Sequence, residues 1–328
     1  MTGLYSPDEV SAMILAGNNL LLAGDAKLLS KLPAGNWIGG STPYFILHPE
    51  NRTTSFDKIF VNRLPDYVSN VEIREYDETN IQSIFNDGPQ NGFTILIMPF
   101  MAPVAMEYSI NATNYKNFAA HPVCGWLTGL PLDIILTEKS HSASGLVPCI
   151  STDKGYAMHV TLPKSKFAEI HTFNPYIQGD GDSIQFENDS IVVTDAIING
   201  EKRNFAEYLR EIGYDMLMPM VANYSGSMIN IVIAAIGEKE VPLSAPAFKF
   251  VDYRIAKIDD NITEPSLMGE KIVFSVTCIG NFLQPDICAQ YLKKMNGPVV
   301  YGEIAYQQMG QTTVYVTVDD VTINTETT

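Results

Sequence analysis

Residues 93–100 read Phe-Thr-Ile-Leu-Ile-Met-Pro-Phe, an apolar run with a single hydroxyl and no polar alternation. A run of that length without a polar face suits a strand covered on both sides. Residues 105–118 can form a following helix or loop, and 122–129, Pro-Val-Cys-Gly-Trp-Leu-Thr-Gly, return as another strand ending in a glycine. Near the N-terminus Ser6-Pro7-Asp8-Glu9 combines a capping serine, a proline suited to the first helical turn and a capping-box glutamate. The helix it starts should end near Gly17. A strand at 20–23, a short helix at 25–32 and a strand at 37–40 then make a strand, helix, strand unit.

Later segments continue the mixture. Strands are expected at 155–162, 228–235, 248–258 and 271–279, and helices at 205–212, capped by Asn204 and closed by Gly213, and from about 284 to 294. Thr313, Tyr315 and Thr317 alternate with Val314, Val316 and Val318 to give a last strand. The expected class is α/β, with α+β as the alternative: two β-rich halves with mixed sheets, flanked by short helices. The turn cluster Gly179-Asp180-Gly181-Asp182 is the expected boundary, giving parts at 1–178 and 179–328.

Charge narrows the choice of partner. The 328 residues hold 21 Lys and Arg against 37 Asp and Glu, a formal charge of -16, with no basic stripe to neutralise phosphates, so nucleic acid and anionic membrane surfaces are disfavoured. The four cysteines are widely spaced without a C-x-x-C pair, which suggests neither a zinc site nor a disulfide scaffold. The N-terminus lacks the pattern of a signal peptide and no run is long enough for a membrane helix, so a cytoplasmic protein with reduced thiols is expected.

Candidate site residues are few. Gly39, Gly40 and Ser41 end a strand, where backbone without a Cβ can approach a ligand or a neighbouring element, or simply turn. Asn223, Tyr224 and Ser225 form a polar island between apolar runs, able to line a cleft or to serve as an ordinary loop. Glu303, between Gly302 and Ile304, is an acid in an apolar setting that needs a partner, with Tyr306 nearby to stack or donate. Cys124 is a conceivable nucleophile, but in a strand His121 three residues away points to the other face, which favours a buried structural thiol. His159 and His171 sit singly on strands, and Asp180/Asp182 lacks the later glycine and glutamate of a calcium loop, so no metal is expected.

The unit ending in Ile38-Gly39-Gly40-Ser41-Thr42, the return Pro122-Val123-Cys124-Gly125-Trp126 and the closing Gly302-Glu303-Ile304 before a final strand together resemble the FIST sensory domains of bacterial signalling proteins. The resemblance implies an N-terminal and a C-terminal part over most of the chain and a small-ligand sensor, with haem in some members. No attached kinase, cyclase or receptor segment is recognisable here. The expectation is therefore a sensor or carrier with a ligand between its halves, working alone, as a homo-oligomer or with a signalling partner protein. A hydrolase- or transferase-like enzyme using Glu303 or Cys124, and an assembly protein forming homo-oligomers, are the alternatives.

Overall fold

The structure, a computed structural model, describes residues 2–48, 51–135, 137–146, 149–224, 227–262, 272–292 and 294–321. It is rich in strands with few, short helices, and its sheets are mixed. The Ser6 capping box is present, with Glu9 accepting from the Ser6 backbone, and Asn204 caps Phe205–Glu211 as its sequence position predicts.

Three six-stranded sheets share one plan. Each has a parallel pair at its centre: Leu20–Gly24 with Trp37–Ser41, Gly92–Pro99 with Val123–Thr128, and Ile272–Cys278 with Gly297–Val300. A short helical crossover joins each pair: Ala26–Leu29, Pro103–Asn111, and Ile279–Phe282 with Pro285–Tyr291. On one side every pair is followed by an antiparallel strand and an outer strand, respectively Ile59–Arg63 and Thr2–Tyr5, Gly155–Thr161 and Asn70–Tyr76, and Thr313–Asp320 and Lys166–Phe173.

On the other side each sheet takes a hairpin from a different segment. The hairpin Tyr44–Leu47/Asn51–Thr54 joins the sheet of 272–300, Ser142–Ser144/Cys149–Ser151 joins that of 20–41, and Glu303–Ala305/Gln307–Met309 joins that of 92–128. The chain thus repeats one order three times, over 2–63, 70–161 and 166–320: outer strand, central strand, crossover, central strand, hairpin, closing strand. The first hairpin is handed to the third sheet, the second to the first and the third to the second, so the exchanges close a ring.

The repeats leave a trace in the glycines. Gly39, Gly125 and Gly297 occupy the same place in the three parallel pairs, and a Cβ there would lie 2.8, 1.8 and 2.4 Å from the carbonyl oxygens of Leu22, Leu96 and Ser275 on the adjoining strand. Gly40 marks where two sheets touch, since its Cβ would lie 2.3 Å from Thr128 Cγ2. These glycines serve the close approach of backbone to a neighbouring element.

The inner faces of the three sheets meet in one core that includes Leu21, Ile38, Ile95, Trp126, Phe274 and Val314. Helices cover the outer faces over separate clusters. Residues 176–258 stand between the first two strands of the third repeat and build their own sheet around Phe186, Phe205, Leu209 and Tyr253. The strand pairings therefore cross the boundary expected at 178/179: it falls just inside the inserted unit, and beyond Ile272 the strands Gly297–Val300, Glu303–Ala305 and Thr313–Asp320 pair back with the first half. Non-local pairing of this kind cannot be read from local composition.

Candidate functional site

In each repeat the parallel strands end toward one place, and the three ends are tied together. Gly129 N donates to Ser41 O at 2.7 Å, and Tyr301 N donates to Leu127 O at 3.0 Å. The third link should come from position 43, but Pro43 has no N–H. Thr42 supplies it instead, its hydroxyl donating to Val299 O at 2.7 Å. Ser41 adds a cross-tie by donating its hydroxyl to Gly129 O at 2.8 Å and accepting from His141 N at 2.9 Å.

Beside this junction lies a cavity of about 430 Å³, bounded by the end of Leu20–Gly24, by Ser41 to Pro43 and by Gly129 to Pro131, Ile134, Glu138 and His141. It occupies the carboxyl edge of a parallel pair, where open α/β sheets bind ligands. Asp25, Lys27, Glu138 and His141 give it polar chemistry, and Phe56, more than half exposed, forms an apolar lip. Asp25 is fixed by accepting from Lys27 N at 2.7 Å. Burial holds the His141 imidazole below its ordinary value, with the Asp25 and Glu138 carboxylates pulling the other way, so the ring is neutral at pH 7. Its Nδ1 is buried without a hydrogen-bond partner among the described residues.

Of the residues singled out from sequence, Ser41 lines this cavity and Gly39 and Gly40 lie behind it. Both Ser41 hydroxyl functions are engaged in the junction, so it is a structural hydroxyl. Glu303 and Cys124 are brought onto adjoining strands, Ala305 opposite Cys124 and Glu303 opposite Trp126, with Tyr306 in the bend that follows, outside the cavity lining. The Cys124 thiol is fully buried, pushed well above its ordinary value by that burial, and donates to Thr94 O at 3.6 Å. Asn223 is exposed on the strand Met220–Tyr224 of the inserted unit, away from these groups, and Ser225 lies outside the described residues.

Glu303 has found its partner. Its Oε2 accepts from Thr312 N at 3.2 Å and from Thr312 Oγ1 at 2.9 Å, and the Cys278 thiol stands beside the carboxyl. Oε1 has no hydrogen-bond partner among the described residues. Burial drives its pKa up to about 8, so the group is a neutral acid at pH 7. The histidines weighed as metal ligands are spoken for as well. Tyr76 donates to the Asp87 carboxylate at 2.9 Å, so it accepts from His159 Nε2 at 3.0 Å, which leaves His159 Nδ1 to accept from Thr94 Oγ1 at 2.8 Å. Among the described residues no group of three or more His, Cys, Asp and Glu is placed to hold a metal.

Haem, raised by the family resemblance, does not fit the cavity, where Asp25 and Glu138 would face the propionates with only Lys27 to balance them. His141, Asp25 and Glu138 were absent from the sequence candidates. The signal that leads to them is the threefold recurrence of strand, crossover, strand and glycine, which marks the carboxyl edge of each pair. No described helix is long and apolar enough to cross a membrane.

A family model described as a family of unknown function (DUF6976) matches residues 5–319. No curated protein and no solved structure matches the chain.

Proposed function

Since the chain belongs to this family of unknown function, its role has to be read from the site, and we propose that it binds a small amine- or amide-bearing ligand, as a sensor or carrier, in the cavity beside the three-way junction. The observation that carries the reading is the setting of His141: a neutral imidazole between Asp25 and Glu138 on the wall of a cavity at a carboxyl strand edge. Two carboxylates and one imidazole favour a donor-rich or cationic ligand, and the apolar lip at Phe56 gives its carbon frame a surface. The full engagement of Ser41 and the burial of Cys124 leave neither as an accessible nucleophile, which favours binding over covalent catalysis. Four free thiols suit a cytoplasmic setting. The likeness of 38–42 and 302–304 to FIST sensory domains points the same way.

Native mass spectrometry of protein purified without added ligand, together with ligand-observed NMR against a panel of primary amines and guanidines, tests this. A co-purified or panel amine whose affinity falls at least about tenfold in Glu138→Gln or Asp25→Asn supports the reading. An empty protein that binds no panel member at millimolar concentration overturns it.

A further inference from the structure

A second cavity, of about 490 Å³, lies where the inserted unit meets the body of the molecule. Its two walls differ in kind. The inserted unit contributes mainly apolar surface, Ile229, Ile231, Ala245, Phe248 and Val251, with the polar groups of Asn230 and Tyr253 held in hydrogen bonds to Asn174 and Phe248 N, whereas the body contributes Ser109 and Thr113 from the end of the second crossover and Gln307 and Gln308 from the third hairpin. In a chain with 37 acidic and 21 basic residues, no described residue lining this cavity is charged.

The polar wall is built rather than incidental. Gln308 is buried, with Ser109 donating to its Oε1 and its own Nε2 donating to Ser244 O at 2.7 Å across the junction. That pairing fixes the adjacent Gln307, whose amide makes no hydrogen bond within the described residues and is left to face the cavity. Both walls hang on strained turns. Tyr306, with φ 62°, is the bend residue immediately before the Gln307–Met309 strand, and Phe250, with φ 57°, sits between Phe248 and Val251. Left-handed backbone is disfavoured at bulky residues and concentrates at ligand clamps.

We infer that this cleft is a second binding site, for an uncharged molecule with an apolar or aromatic body and one polar edge. The body packs on the inserted unit and the edge meets the Gln307 amide and the Thr113 hydroxyl, so the two-sided wall sets the orientation as well as the class. A charged ligand would be desolvated there without a counter-charge.

Titration of the full-length protein with Nile red, which is neutral, and Nile blue, its cationic relative, reads this directly. The acidic surface alone would favour the cation, whereas the cleft predicts at least tenfold tighter binding of Nile red. Thr113→Trp, at an exposed position on the mouth, and Gln307→Glu, which places a charge on the polar wall, should each weaken Nile red at least tenfold. His141→Ala, in the other cavity, should leave it unchanged and so separates this site from the amine site. Hydrogen exchange with the dye bound should slow at 227–231 and 241–247. Equal or tighter binding of Nile blue, wild-type affinity in both cleft variants, or protection elsewhere would overturn the inference.

Discussion

Glu303 shows how far one buried group can set a pH profile. Its carboxyl ordinarily titrates near 4.5 but is raised to about 8 in the fold, because burial outweighs the hydrogen bonds from Thr312. The folded state therefore holds a proton that the unfolded state releases. This stabilisation is complete below about pH 4.5 and is lost as pH rises through about 8, a change on the order of 5 kcal/mol over that span. Gln keeps the acceptor for Thr312 and cannot ionise. Glu303→Gln should flatten the dependence of unfolding free energy on pH between 5 and 9 and be the more stable protein at pH 9, measured by urea denaturation at fixed salt. An unchanged slope would show that the carboxyl is not the titrating group. The sequence made Glu303 conspicuous for a sound reason, an acid between apolar runs, but could not distinguish a ligand contact from a protonated core group. Only the placement of Thr312 and Cys278 against it decides that.

At the scale of elements, the strands and crossovers were largely legible and their partners were not. The run 93–100, the alternation at 313–318 and the caps at Ser6 and Asn204 each rest on local chemistry, and the structure shows an element at each. The exchanged hairpins rest on contacts between residues far apart, such as Gly297 opposite Ile46 and Glu303 opposite Trp126, for which no local pattern exists. The threefold plan is masked because little of it survives in the sequence beyond Gly39, Gly125 and Gly297, and because an inserted unit interrupts the third copy. Those glycines give the element-scale prediction. Gly125 has φ 151° and no room for a Cβ, which would lie 1.8 Å from Leu96 O. Because both partners are backbone in a central strand pair, the clash cannot be relieved by a rotamer change. Gly125→Ala should cost on the order of 3 kcal/mol or more. Gly181→Ala, with nothing within 4 Å of the added carbon, should stay within about 0.5 kcal/mol of wild type. Comparable losses in the two variants by chemical denaturation would remove the glycine from its role in pairing the strands.

For the whole molecule, the question is whether three repeats form the fold and the inserted unit is an addition to it. The two ends of residues 176–258 lie side by side, with Asp259 N donating to Pro175 O at 2.9 Å, so a short turn can replace them without stretching the chain. The unit has a core of its own, and hydrogen bonds tie it to the body: Gln308 to Ser244 O, and Gln311 Nε2 to Leu217 O at 2.7 Å and to Tyr176 Oη at 2.8 Å. Once the unit is gone those amides face water, which satisfies them. A chain with residues 176–258 replaced by a two-residue turn should therefore unfold in one cooperative transition, with Tm lowered by about 5–10 °C. It should keep amine binding at His141, because the junction of Ser41, Thr42, Gly129 and Val299 lies wholly in the body. It should lose Nile red, because the apolar wall of the second cleft leaves with the unit. Circular dichroism with both titrations separates the outcomes. A body that fails to fold would make the inserted unit part of the architecture, and a body that folds but still takes up the neutral dye would place that site elsewhere.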